Sequence, residues 1–128
     1  MKHIKICLVV LFIVVGISAL FSEGLNSYGR RVKDQLPDVY EVIKIRAIKD
    51  WETDHEMVVY EINKQAESYF KMVSTEDIDI NIFVSSLLYW ADSPESVKAD
   101  MEHFDIYPID WEMVLYEYNK QVEAKSSY

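Results

Sequence analysis

Glycine, proline and cysteine are scarce in this chain of 128 residues, which contains three, three and one of them. So few glycines and prolines exclude a turn-rich β-sandwich and any collagen-like or linker composition. Gly29 is the only glycine after residue 24, which leaves no glycine-rich loop to cradle a phosphate. The single cysteine, Cys7, excludes a disulfide within the chain.

Basic residues are also few, with 13 Lys and Arg against 22 Asp and Glu and a net charge of -9. This balance argues against a nucleic-acid binder, because neutralising phosphates requires clustered Lys and Arg. Half of the residues are hydrophobic, which provides enough apolar surface for a folded core and excludes disorder for most of the chain.

The first 22 residues differ from the rest. Two lysines precede an uncharged run of 16 residues, 6–21. A basic start followed by an apolar run is typical of a secretory signal, and this run is just shorter than the roughly 17 residues of the shortest spanning helices. Residues 1–22 are therefore predicted to be a cleaved signal peptide or, alternatively, an uncleaved anchor with residues 4–21 in the membrane. In both cases we expect the remainder to be exported across the cytoplasmic or ER membrane, into the periplasm or the extracellular space.

The remainder is predicted to be all-α, with a connector at 23–37, for which weak helical spacing leaves a helix open, and an acidic helical domain at 38–128. Beyond residue 22 there are 22 acidic and 11 basic residues, a net charge of -11. The segment 38–51 is rich in β-branched residues but lacks a two-residue alternation, so we prefer a helix there to a hairpin with the segment that follows. Apolar spacing predicts further helices more clearly at 55–73, at 80–91, over a short segment 93–104 that starts at Ser93-Pro94-Glu95, and at 110–125. Together with 38–51, these segments predict a small bundle of four to five helices.

Helix starts can be predicted at two of these segments. Thr53 and Glu56 have the spacing of a capping box, in which each side chain accepts a bond from a backbone amide of the first turn. Asp110 is the predicted cap of the last helix.

Two histidines lie beyond the N-terminal segment. His55 falls on the apolar stripe of its helix and is predicted to pack in the core. His103 has Asp100 three residues before it and is predicted to pair with that carboxylate. Neither histidine has a second histidine at metal-ligand spacing. We therefore expect no metal, no cofactor and no catalytic residues.

An internal repeat is the most specific feature of the sequence. Residues 56–67 match residues 112–123 at nine of 12 positions, with a constant offset of 56. The three differences, at 59, 62 and 66, are apolar exchanges on the core-facing stripe. The repeat indicates a duplicated helical unit. Because two units are fewer than a solenoid needs, it favours a bundle of two related halves.

Both copies place methionine and tyrosine opposite the core stripe, as Met57 and Tyr60 and as Met113 and Tyr116. Two interpretations fit this placement. Each helix is buried on both sides, which is the ordinary expectation for apolar helical residues, or the pairs are exposed spots that bind a partner, a use to which Met and Tyr are suited.

The sequence thus predicts a small exported or membrane-anchored acidic helical protein that acts by binding another protein, as inhibitors and immunity-type proteins do. Its charge favours a basic partner. The alternative is a membrane-embedded accessory subunit of a larger complex.

Overall fold

The structure is a computed structural model that describes residues 24–128, and the signal or anchor predicted for residues 1–22 lies outside them. The described residues form helices and no strand, apart from one isolated antiparallel bridge between Ala91 and Ile109. The prediction of an all-α helical bundle is therefore confirmed. The elements are α1 (Ser27–Gln35), α2 (Pro37–Trp51), α3 (His55–Val73), α4 (Ile80–Tyr89), α5 (Pro94–Ala99), a 3₁₀ segment (Met101–Ile106) and α6 (Trp111–Lys125).

The segment expected to be a connector is a helix that contributes to the core. Asn26 caps α1, because its side-chain oxygen accepts a hydrogen bond from the Gly29 N–H at 2.9 Å. Leu25 and Val32 are buried in the same apolar cluster as the later helices. The weak apolar spacing of 23–37 therefore reflects a short amphipathic helix rather than a linker.

Residues 37–128, where the sequence predicts four to five helices, contain five α-helices, and α1 is a sixth among the described residues. The short helix expected over 93–104 is interrupted at Asp100, whose φ of -142° is not helical. It continues only as the 3₁₀ segment, which is kinked at His103.

Residues 37–51 form the helix preferred from the sequence, and the hairpin alternative is wrong. Pro37 occupies the first helical position and Asp38 adds an acidic residue to the first turn, both of which favour a helix start. Val39, Ile43 and Ala47 are buried at four-residue spacing. This stripe lets α2 pack against α3 despite its β-branched composition.

Helix α3 lies at the centre of the bundle, where it contacts α1, α2 and α6, and α6 in turn packs on α4. The approach of α1 to α3 requires Gly29, since a Cβ there would lie 2.5 Å from the Asn63 side-chain oxygen. None of the helices within 24–128 is both long and apolar enough to cross a bilayer.

Candidate functional site

Both copies of the repeat begin their helix in the same way. An Asp54 carboxylate oxygen accepts a hydrogen bond from the Met57 N–H at 3.2 Å, and Asp110 accepts one from the Met113 N–H at 3.2 Å. The predicted Asp110 cap is thus confirmed. The Thr53 cap is wrong, because the turn that follows α2 places the next residue at the cap position.

The two helices differ at the residue after the cap. Trp111 is only 1% exposed, and its ring meets that of Tyr69 edge-on at 5.0 Å. The equivalent residue His55 is exposed, so the prediction that it packs in the core is wrong. The apolar stripe identifies the inner side of α3, but the first turn of that helix extends beyond the part that other elements cover.

The four predicted site residues have matching exposure in the two copies. Tyr60 is 57% exposed and Tyr116 is 58% exposed, whereas Met57 and Met113 are half-buried. The two tyrosines are therefore not core residues, contrary to the ordinary expectation of burial. Each ring stays at the surface of its own helix, and Lys120 lies over the Tyr116 ring with 5.6 Å between its Nζ and the ring centroid.

Most of the positions that are identical between the copies lie outside the core that is buried in both. Of the nine identical positions, only the Val58 and Val114 pair is buried in both copies. Buried Ile62 of the first copy is replaced by Tyr118 in the second, so the core positions are the ones that differ. We call the shared surface the outward face. It consists of Glu56, Met57, Tyr60, Glu61, Lys64 and Glu67 in α3, and of Glu112, Met113, Tyr116, Glu117, Lys120 and Glu123 in α6.

An acidic cleft of about 260 Å³ lies beside Tyr60, between α2, α3 and the start of α6. The ring of Trp51 lines it as well. Four carboxylates and two cationic side chains contribute to its walls, so the cleft carries a net negative charge. They are Asp50, Glu61, Asp110 and Glu112, with Arg46 and Lys64.

Arg46 contacts two carboxylates that line this cleft and a third, Asp92, that lies outside its lining. Its guanidinium nitrogens lie 3.7 Å from Glu61, 3.3 Å from Asp92 and 3.9 Å from Asp50. Burial raises the pKa of Glu61, while a hydrogen bond of 2.7 Å from the Trp51 indole N–H acts in the opposite direction. The proximity of Asp50 raises this pKa further, and Arg46 lowers it. The cleft itself thus has four carboxylates against Arg46 and Lys64, an excess of acidic groups that suits a further cation.

Two amide side chains of the first copy clamp other parts of the chain. The Asn63 side chain accepts a hydrogen bond from the Asn26 N–H and donates one to the Gly24 carbonyl, each at 2.9 Å. Gln65 is 4% exposed. It donates to an Asp110 carboxylate oxygen at 2.9 Å and accepts from the Trp111 N–H at 2.6 Å.

The same amides are exposed in the second copy. Asn119 and Gln121 lie at the surface, and the Gln121 amide bonds Glu117 one turn earlier on its own helix at 2.7 Å. A cleft of about 580 Å³ separates this part of α6 from α4. Every residue from 119 to 128 is exposed, whereas most of the equivalent stretch of α3 is buried.

The predicted pair of His103 and Asp100 is confirmed. The imidazole Nδ1 lies 2.9 Å from a carboxylate oxygen of Asp100, and the Tyr107 hydroxyl donates to the other oxygen at 2.8 Å. These two bonds lower the pKa of Asp100. The pair joins the 3₁₀ segment to the residue that ends α5.

Sequence reasoning did not find the Arg46 cluster. Asp50 lies one helical turn after Arg46 and could have been paired with it by spacing. Glu61 and Asp92 come from other elements, and the sequence carries no signal for their approach.

Comparison of the chain with protein-family models, with curated proteins and with solved structures found no match.

Proposed function

We propose that this protein acts by binding another protein through the outward face that α3 and α6 both present. The observation that carries this proposal is the identity of the residues of the outward face, none of which is buried in either copy, including tyrosines of nearly equal exposure. Surface positions are little constrained by packing, so packing does not account for their identity.

The composition of the outward face supports a protein partner with basic side chains. Tyrosine and methionine are enriched at protein interfaces, and tyrosine is frequent among the residues that dominate binding energy. Each copy surrounds them with three glutamates and one lysine. The acidic cleft beside Tyr60 adds a place where an arginine or lysine of the partner would find unneutralised carboxylates.

We also infer that the chain consists of two related halves, α1 to α3 and α4 to α6. In each half the first helix contacts the third. The second helix begins with a proline at its first position, Pro37 or Pro94, and the third is capped by Asp54 or Asp110. Duplication of one unit accounts for both the sequence repeat and this order of elements.

The binding proposal is tested with the full-length chain immobilised and exposed to extracts of its host at low and high salt. The Tyr60→Ala/Tyr116→Ala double variant is compared with the wild-type chain and with Tyr128→Ala, a control that removes an exposed tyrosine outside the repeat. We expect one protein to be retained by the wild type and by the control, and released by salt or by the double variant. Retention by a double variant that is folded would contradict the proposal.

Export or membrane anchoring through residues 1–22 is part of the proposal and has its own test. The intact mass of the protein purified from soluble and membrane fractions of its host distinguishes the two forms. A soluble protein that lacks about the first 20 residues, a usual length for a removed signal, would be an exported binding protein. A full-length protein in the membrane fraction would instead be an anchored subunit that acts beside a membrane complex.

A further inference from the structure

The glutamine that the two repeat helices share bonds another helix in the first copy only. Gln65 of α3 bonds both the Asp110 carboxylate and the Trp111 N–H, so one carboxamide binds the N-terminus of the next repeat helix. We call this arrangement the amide clamp. Since its distances of 2.9 and 2.6 Å are those of direct hydrogen bonds, the clamp fixes where α6 starts relative to α3.

Helix α6 has the glutamine that a second amide clamp would need. Gln121 is the residue equivalent to Gln65 and lies at the surface. It lines the cleft of about 580 Å³ beside α4, together with Glu117 and Lys120. Its only bond to a side chain within residues 24–128 is to Glu117, on the same helix.

The N-terminus of α3 has the backbone and cap groups that such a glutamine would bind. Asp54 has the same cap bond as Asp110, with the same length of 3.2 Å, and both Asp54 and His55 are exposed. Within the part of the chain that the structure describes, no side chain accepts a hydrogen bond from the His55 N–H. This N-terminus therefore has the groups that Gln65 recognises in α6, but no equivalent partner among the described residues.

We propose that a second copy of this chain docks the N-terminus of its α3, at Asp54 and His55, onto Gln121 of the first, as Asp110 and Trp111 dock onto Gln65 within one chain. The two surfaces in contact are different, so the association is head-to-tail and leaves a free surface at each end. It therefore extends beyond a dimer. This inference does not rest on the proposed partner binding, which depends on Tyr60 and Tyr116.

The contact between chains is weaker than the contact within a chain. The Trp111 ring packs against the rings of Tyr69 and Phe104, whose centroids lie 5.0 and 6.0 Å from its own. The residue equivalent to Tyr69 is Lys125, which offers no ring to an incoming His55. The charge of -11 on residues 23–128 also opposes self-association. Because salt screens that repulsion, self-association strengthens with salt, whereas binding to a basic partner weakens.

The test is crosslinking between full-length chains that each carry one cysteine, in detergent with a large excess of micelles over chains. Cys7→Ser removes the native thiol, and His55→Cys and Gln121→Cys then place single thiols at exposed positions. With a short bismaleimide, we expect a dimeric product from the mixture of the two chains and little from either chain alone. Gln35→Cys, at an exposed glutamine of α1, is the matched control and should give no product with His55→Cys.

Two results would overturn the head-to-tail arrangement. One is the absence of a mixed product, or mixed and like-with-like products in equal yield. The other is a sedimentation profile of the wild-type chain that stays monomeric or stops at a dimer as concentration rises. We expect successive larger species that disappear in Gln121→Ala, while the melting temperature of this variant stays unchanged because the residue is exposed.

Discussion

The helices α3 and α6 share nine of 12 residues in their repeated segments, yet the protein buries them differently. The second half of α3 is covered by α1 and α6, and its Tyr69 hydroxyl donates a hydrogen bond to Asp105 of the 3₁₀ segment at 2.7 Å. The second half of α6 is exposed from residue 119 onward. The repeated segment therefore forms a helix in both copies, but its burial differs with the elements around it and with the sequence that follows it, where Tyr69 corresponds to Lys125.

Substituting the first helical residue of each copy should give the largest difference between them. Trp111→Ala removes a fully buried indole and should destabilise the protein by about 3–5 kcal/mol. His55→Ala should stay within about 0.5 kcal/mol, because that side chain is exposed. Urea unfolding of both variants measures this, and similar losses would mean that the copies are buried alike.

The equivalent glutamines provide the next comparison. Gln65→Ala leaves the Trp111 N–H buried without its acceptor and should cost about 1–3 kcal/mol. Gln121→Ala breaks one bond at the surface and should change the free energy of unfolding by less than about 0.5 kcal/mol. Thermal unfolding of dilute protein, where chains do not associate, distinguishes the two. A destabilised Gln121→Ala would show that α6 is covered.

The repeated tyrosines should contribute little to stability in either copy. Because Tyr60 and Tyr116 are more than half exposed, each substitution to alanine should cost within about 0.5 kcal/mol. The melting temperature of the double variant therefore stays near that of the wild type. A loss of stability as large as that for a buried aromatic residue would mean that these rings belong to the core. It would then remove the basis of the binding proposal.

The smallest expected effect concerns position 125, which is lysine where the first copy has Tyr69. Lys125 Nζ lies 2.8 Å from Asp79, the cap of α4, and this bond lowers the pKa of the Asp79 carboxyl. A lowered pKa contributes stability above the unfolded-state value of about 3.9, and this is lost as pH falls through the folded-state value.

Asp79→Asn tests this contribution, since asparagine still caps the helix but does not titrate. We expect its melting temperature to fall less than that of the wild type as pH is lowered from neutral into the acidic range. If the melting temperatures of the two proteins fell equally as the pH is lowered, a stabilising role for this ion pair would be contradicted.

The sequence predicts the helices of the repeat well and their surroundings poorly. Apolar spacing and the aspartate cap of α6 place 54–73 and 110–125 close to the observed helices, because these signals are local. The burial of Trp111 and the exposure of His55 depend on which elements cover each helix start, and periodicity contains no such information.

The candidate site shows the same limit. Its tyrosines stand out in the sequence because they are unchanged between the two copies, but the repeat does not indicate whether they are buried or exposed. The Arg46 cluster could not be predicted, since Glu61 and Asp92 approach Arg46 only through the packing of separate elements. The helix at 27–35 is only one of the interpretations that the sequence leaves open for the connector, because its few apolar residues form a weak stripe.

Amide hydrogen exchange of residues 62–72 and 118–125 is the most direct test of the difference between the copies. Exchange rates report local opening, which is rare in covered helices and frequent at exposed helix ends. We predict that amides of 62–72 exchange only through global unfolding, and that those of 118–125 exchange much faster in dilute protein. Equal protection of the two stretches would contradict the claim that the second half of the helix is covered only in the first copy.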